Sequence, residues 1–314
     1  MNASKKVRRK YRSLIERMLP KSMGYWLMKN QLKLPDLSSL RYDFKLVSSQ
    51  DEMNQALALL HDAYVESGYM EPSVHKMRIT PYHMSPETII AIAKDGDKVI
   101  ATTSLILRGP LGLPIEAMVE LDSNEELDGR IVEVSALAIH RKYSGQFGKL
   151  LFPMMKFIYH CAVDVLGANF EVIGVNPKMR ALYEGLLLFK PLTTSNSDSS
   201  YSFVNGAPVI PMYYNLNTRE ATYRSAYQLV PSRSNLWHFF SEPLPDKFLL
   251  PNSISNYRSP VCDKEYFEDL FVRKSDCFQN ITDSQKKFVV DSNNLVSSHK
   301  ASFTEEGVVS DHSI

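Results

Sequence analysis

Residues 131–189 read IVEVSALAIHRKYSGQFGKLLFPMMKFIYHCAVDVLGANFEVIGVNPKMRALYEGLLLF. The run Ile131-Val132-Glu133-Val134-Ser135-Ala136-Leu137-Ala138-Ile139 alternates and is rich in β-branched residues. That pattern predicts a strand carrying a carboxylate. A basic, glycine-bearing turn follows over 140–149. A broadly apolar helix is predicted from Gly145 to about Leu166, stopped by Gly167. Pro153 falls inside it and removes a backbone bond, so bent or broken first turns are expected. A second strand is predicted over 170–175 and a short helix over 177–187. Strand, turn, helix, strand, helix is a layout that can receive a phosphate group at a helix N-terminus.

Glu133 is the candidate catalytic base. A carboxylate in the middle of an apolar strand is costly to bury, and burial lifts its pKa toward useful values. Alternation places Glu133 and Ser135 on one face with Leu137 and Ile139, and Val134, Ala136 and Ala138 on the other. Polar residues beside large apolar ones suggest a pocket wall; an outward-facing glutamate on a half-exposed strand is the alternative. In the turn, Arg141, Lys142, Gly145, Gly148 and Lys149 suit an anion, through backbone N–H groups at a helix start and through charge. A helix-capping glycine turn with scattered charges is the plainer reading.

Outward from this stretch the chain divides into three expected parts: a basic arm over 1–40, a domain over 41–217 and an extension over 218–314. Residues 1–34 carry many lysines and arginines against the single acid Glu16, with apolar residues at helical spacing. This cationic amphipathic arm suits an anionic membrane surface or an acidic carrier protein, or it packs on the domain with a solvated basic face. A first strand is expected over 42–47, then a helix from Glu52 to about Val65 capped by Ser49 or Asp51 and ended by Gly68. Residues 69–85 read as an irregular loop whose His75 and His83 read as ordinary loop histidines, with a functional role for either as the lesser reading. Strands over 88–93 and 99–107 are joined by the tight turn Asp95-Gly96-Asp97. Residues 108–130, rich in Gly, Pro and acids, lead into the Glu133 strand. Closing strands are expected over 201–204 and 209–216. Beyond 218, the aromatic residues around Trp237 suggest docking on the domain; from about Asp283 a helix at most, then disorder, is expected.

The whole chain is nearly neutral, with 36 Lys plus Arg against 35 Asp plus Glu, and the domain has no basic signature for nucleic acid. Cys161, Cys262 and Cys277 fall at no metal or redox spacing, so neither a metal site nor a disulfide framework is expected. There is no secretory signal pattern and no apolar run long enough to span a membrane. A cytoplasmic protein is expected, with peripheral contact at the inner membrane surface through residues 1–34 as one option.

The Glu133-Val134-Ser135 and Leu137-Ala138-Ile139 units resemble the long-chain N-acyl amino acid synthases (FeeM-type) of the GNAT acyltransferase superfamily, which are relatives of the acyl-homoserine-lactone autoinducer synthases. Tyr64-Val65-Glu66-Ser67-Gly68-Tyr69, Gly112-Leu113-Pro114, Glu120-Leu121-Asp122, the stretch 183–189 and Asn205-Gly206-Ala207-Pro208 agree in order and spacing, over roughly 42–216. The resemblance implies a GNAT-like α/β fold, with a mixed, mostly antiparallel sheet flanked by helices. It implies transfer of a medium- or long-chain acyl group from acyl carrier protein, or from acyl-coenzyme A, to the α-amine of an amino acid. The phosphopantetheine thioester is then a donor substrate, and no cofactor is bound permanently. Glu133 and Ser135 would be catalytic, with Tyr183 as acid for the leaving thiol. Backbone N–H groups at Leu137 and Ile139, freed by splayed central strands, would meet the oxyanion. Arg141, Lys142, Gly145, Gly148 and Lys149 would hold the donor phosphate, and Glu120 and Asp122 the acceptor's amino group.

The departures are informative. The superfamily turn is Gln/Arg-x-x-Gly-x-Gly/Ala. Here Lys142 stands for Gln/Arg, Gly145 fits, Phe147 takes the second small position, and Gly148 comes one residue late. That sits more easily with a carrier-protein donor than with tight coenzyme A binding. Ala136 stands where the autoinducer synthases carry Arg, and Leu188-Phe189 replaces Gly-Phe. An acetyl-coenzyme A-dependent acetyltransferase and a non-catalytic GNAT-shaped binding module are the rival readings.

Overall fold

The computed structural model describes residues 20–193 and 200–295. The expected amphipathic helix of the first residues, the serine-rich loop and the tail beyond 295 lie wholly or partly outside them.

Strand pairing begins at a tight turn. Ile89–Asp95 (β2) and Lys98–Leu107 (β3) are antiparallel around Gly96, whose φ of 63° is a conformation glycine adopts freely. Asp43–Leu46 (β1) pairs with β2 on one side, and Ile131–Ile139 (β4) pairs with β3 on the other. Phe170–Val175 (β5) runs parallel to β4. Lys190–Pro191 (β6) and Ile210–Asn215 (β9) close that side. Ser200–Tyr201 (β7) and Ala207–Pro208 (β8) form a separate small hairpin. The strand predicted over 201–204 is therefore shorter, because a helical turn at Ser202–Val204 and positive φ at Asn205 and Gly206 bend the chain back. With Phe248–Leu249 (β10) added parallel to β1, the main sheet has eight strands in the order β10-β1-β2-β3-β4-β5-β9-β6. The expected mixed, mostly antiparallel sheet flanked by helices is the architecture found.

Helices cover both faces. Gln50–Glu66 (α2) is capped by Ser49, whose side chain accepts from the Glu52 N–H at 3.2 Å. With Tyr64 and Leu60 it packs on one face, beside Ile131, Val172 and Tyr213 of the sheet. On the other face lies Phe147–His160 (α3), followed by one wide π-type turn, Cys161–Val165. Pro153 is accommodated without a break, and the irregular part comes earlier, as a 3₁₀ turn over Arg141–Gln146. Phe157 and Ile158 of this helix, and Cys161 of the turn after it, join Phe44, Val132 and Met212 in the largest core cluster.

The residues after 217 are built into this core. Arg219–Tyr227 (α4) and Leu236–Ser241 (α5) pack beside α3 through Tyr223, Tyr227 and Phe240. The buried Lys156 ties α3 to them, its Nζ donating to the carbonyls of Phe239 and Glu242. Lys264–Glu268 (α6) and Asp283–Ser292 (α7) form a third cluster with α2, which includes Phe267, Phe271 and Val289.

The described part of the basic arm packs as a helix. Lys21–Gln31 (α1) lies against the wide turn Leu182–Leu186, with the Tyr25 ring over Gly185. Lys29 Nζ donates to the Ala226 carbonyl at 3.2 Å and sits over the Tyr227 ring. Trp26, 53% exposed, is on its outer side.

Candidate active site

The site begins where β4 and β5 part. Their parallel pairing runs only from Ile131↔Phe170 to Glu133↔Val172. Beyond that point β4 stays with β3 and β5 stays with β9. Between β3 and β4 the register shifts, with Ser104 opposite Ser135 but Thr102 opposite Ala138. The extra residue is a β-bulge at Ala136, which has φ 62°. Thr103 Oγ1 donates to the Ser135 carbonyl at 2.9 Å and pins it.

The bulge overturns the uniform alternation expected for this strand. Leu137 and Ile139 pack with Val132 and Val134 on the α3 face, while Ala138 joins Ile131 on the α2 face. It also sets backbone direction. The His140 N–H donates to the Ile100 carbonyl on β3 at 2.8 Å. By strand alternation the N–H groups of Ile139 and Leu137 then point to the opposite edge, the one β5 has left.

A cavity of about 150 Å³ fills the parting. It reaches both sheet faces: Tyr64, Phe203, Val204 and Val209 line it on the α2 side, and Met155, Ile158, Tyr159 and Phe240 on the α3 side. Glu133, Ser135, Leu137 and Tyr183 all line it. Glu133 is 2% exposed, and its Oε2 accepts from the Ile115 N–H at 2.8 Å. Burial lifts its pKa to about 8; the Ile115 N–H opposes that shift and Glu116 adds to it. Tyr183 is pushed up to about 12 by burial and by Glu171, so it stays protonated at neutral pH.

Other expected residues lie elsewhere. Ile139 is on β4 but outside the cavity lining. Arg141, Lys142, Gly145 and Lys149 are exposed around the start of α3, and a Cβ at Gly145 or Gly148 would meet no atom within 4 Å. Arg141 faces Glu66 at 3.6 Å. Glu120 is exposed, and Asp122 is committed to Arg108 through two bonds of 2.7 and 3.0 Å. The acid that the 108–130 loop brings near Glu133 is Glu116. His83 is buried and its pKa is lowered to about 3 by burial and by Arg78; its Nδ1 takes the Thr80 N–H. Among the described residues no group of acids, histidines and cysteines could hold a metal ion, and no helix is long and apolar enough to cross a membrane.

Four further polar residues line the cavity on the α3 side: Glu171, Tyr214, Arg219, and Tyr223, whose hydroxyl donates to the Leu187 carbonyl at 2.9 Å. Glu171 is pushed up to about 7 by burial, with Arg219 opposing. Its sequence signal matches that of Glu133, an acid inside the apolar run Phe170-Glu171-Val172-Ile173. Arg219 opens a polar helix, and nothing in its sequence surroundings marks it as buried.

A sequence model of the N-acyl amino acid synthase FeeM family matches residues 55–215, just over half of the 314-residue chain. Among curated proteins none matches at a significant level. Among solved structures, the chain is similar to FeeM, an N-acyl amino acid synthase from uncultured soil microbes. That likeness has 21% identity, covers 58% of this chain and 94% of that one, and has a TM-score of 0.47. It is also similar to BjaI, a CoA-dependent acyl-homoserine lactone synthase, at 14% identity, with 67% and 94% covered and a TM-score of 0.43. A variant of spermidine N-acetyltransferase SpeG from Vibrio cholerae is similar at 13% identity, with 57% and 95% covered and a TM-score of 0.38. The family match takes in the β4–β5 parting and Glu133, and on that match the chain belongs to the N-acyl amino acid synthase FeeM family and is an acyltransferase.

Proposed function

We propose that the protein transfers a medium- or long-chain acyl group from a phosphopantetheine thioester to the α-amine of an amino acid. The observation that carries this reading is the parting of β4 from β5 directly after Glu133, which puts a buried carboxylate and unpaired strand edge on one cavity. The thioester carbonyl lies in the parting. Glu133, in its ionised form, takes a proton from the amine, directly or through a water. The amine lone pair attacks the carbonyl carbon, and the oxyanion meets the N–H groups of Leu137 and Ile139. The carbon–sulfur bond then breaks with its electron pair going to sulfur, the Tyr183 O–H protonates the departing sulfur, and the surplus proton on the new amide nitrogen restores the tyrosine through solvent. Ser135 holds its place through the Thr103 bond to its carbonyl.

The acyl chain runs along the apolar α3 side, past Met155, Ile158 and Leu187. The donor phosphate meets the start of α3, where Arg141, Lys142 and Lys149 add charge and Gly145 and Gly148 leave the backbone uncovered. The departures in this turn favour acyl carrier protein over coenzyme A as donor. The acceptor enters from the α2 side, where the 108–130 loop supplies Ile115 and Glu116. Glu120 and Asp122, both exposed on that loop, would meet the acceptor's amino group, Asp122 while paired with Arg108. A cytoplasmic setting suits both substrates, and the lysines and arginines of residues 1–34 would meet carrier protein or an anionic membrane.

The test is turnover by purified protein of a dodecanoyl donor, carried on acyl carrier protein or on coenzyme A, with a mixture of amino acids. N-dodecanoyl amino acids from either donor support the reading, and the ratio of the two rates assigns the donor. If acetyl-coenzyme A alone is used, with no long-chain product, the reading fails.

A further inference from the structure

The apolar compartment on the α3 side contains polar groups that the transfer reaction does not use. Arg219, the first residue of α4, lines the cavity and is 8% exposed. Its guanidinium carbon lies 3.5 Å from the centre of the Tyr159 ring and 4.4 Å from that of Phe240. These aromatic faces hold the charge but accept no ordinary hydrogen bond, and Nη2 is buried with no hydrogen-bond partner among the described residues. The Tyr214 hydroxyl, 6% exposed, has Thr222 as its polar neighbour and makes no well-formed hydrogen bond among the described residues. Glu171 lines the same compartment, close enough to Arg219 to feel its charge.

Leaving a buried donor unmade is costly, and the cost is removed when a ligand supplies the missing acceptor. An unsubstituted alkyl chain cannot supply it. A ligand carboxylate would meet Arg219 but would set a second acid beside Glu171, and the two could share the compartment only with one of them protonated. A hydroxyl satisfies both, since it accepts from Arg219 and Tyr214 and donates to Glu171.

We propose that the acyl compartment selects a hydroxylated acyl chain, with Arg219 and Tyr214 as the residues that recognise the hydroxyl and Glu171 as its acceptor. This rests on the acyl-transfer reading for placing the chain on the α3 side. A site built to hydrogen-bond a substrate hydroxyl discriminates strongly against the analogue that lacks it.

The experiment is calorimetric binding of dodecanoyl N-acetylcysteamine thioester to the full chain, against the same thioester hydroxylated at the β-carbon or at the terminal carbon. No amino acid is present, so the result does not depend on turnover. One hydroxylated thioester should bind roughly ten- to a hundred-fold tighter than the plain one. Arg219→Met should remove that preference. Tyr214→Phe, which keeps the ring and its packing, should reduce it several-fold. Equal binding of all three thioesters, no binding of any, or a preference that survives both substitutions would overturn the inference. Failure of the transfer reading would show separately, as hydroxylated and plain donors that both bind but yield no N-acyl product.

Discussion

Glu133 and Glu171 stand on neighbouring parallel strands, one step apart in register, and face opposite sides of the sheet. Glu133 is paired with Val172, and Val132 with Glu171. Val172 packs on the α2 side and Val132 on the α3 side, so strand alternation sends the two carboxylates apart. One cavity, passing through the parting of the strands, touches both. Each is held in its neutral form more strongly than an ordinary glutamate by burial, Glu133 to about 8 and Glu171 to about 7. Under the proposed reaction this separation divides labour: the α2-side acid would serve the amine, and the α3-side acid whatever the compartment holds.

The pH profile tests that division. A base must be ionised, so kcat/KM should rise with pH through a limb near 8, the value to which Glu133 is lifted. Glu133→Gln should remove this limb, and Glu171→Gln should leave its position in place. A limb that stays near 8 without Glu133 would take the base role from it.

The same ionisation predicts a stability effect of definite sign. The unfolded chain releases the Glu133 proton near the ordinary value of 4.5, while the folded chain keeps it up to about 8. Between these values the folded state binds more protons, so stability falls as pH rises. Glu133→Gln cannot ionise and escapes the loss. Urea midpoints at about pH 5 and about pH 8.5 should diverge, with the variant gaining on the wild type by a few kcal/mol at the higher pH. A constant difference at both would contradict the burial argument.

The bulge at Ala136 makes a third prediction. An alanine at φ 62° bears a cost of about 1 kcal/mol that glycine does not. Ala136→Gly should keep activity and leave thermal stability equal or higher. Ala136→Val puts a β-branched residue where it is a genuine outlier, and should force the bulge to shift along β4. Since the bulge sets the direction of the Leu137 and Ile139 N–H groups, kcat should fall by at least roughly ten-fold, a loss of one oxyanion donor or more. Circular dichroism would show that the variant still folds.

These positions show what the sequence reveals and what it hides. Glu133 stands out because an acid within nine otherwise nearly apolar strand residues demands an explanation. Glu171 carries the same signature, yet the face it occupies follows only from its register against β4. The bulge has no glycine to announce it, so alternation read through Ala136 assigns Leu137 and Ile139 to the wrong face. Strand β10 is two residues long, too short for any periodicity to mark it. Arg219 is polar in a polar stretch, and its burial arises only when α3, α4 and α5 close around it.

The packing of α1 gives a fourth prediction. A Cβ at Gly185 would lie 2.5 Å from the Tyr25 ring, closer than atoms can approach. Gly185→Ala should displace α1 and cost about 1–3 kcal/mol, the usual range for overpacking. Pairing it with Tyr25→Ala should recover part of the loss. Chemical denaturation of the single and double variants measures the coupling, and additive losses would show that the ring and the glycine do not meet.

The central claim is that Glu133 drives acyl transfer to an amino acid. The most direct measurement is mass spectrometry of lipid extracts from cells expressing the wild type or Glu133→Gln. The account predicts new N-acyl amino acids in the wild-type extract and their loss with the variant, which folds and accumulates equally. Their masses would give chain length, acceptor and any hydroxyl on the chain. The same products at the same level from Glu133→Gln would contradict the account.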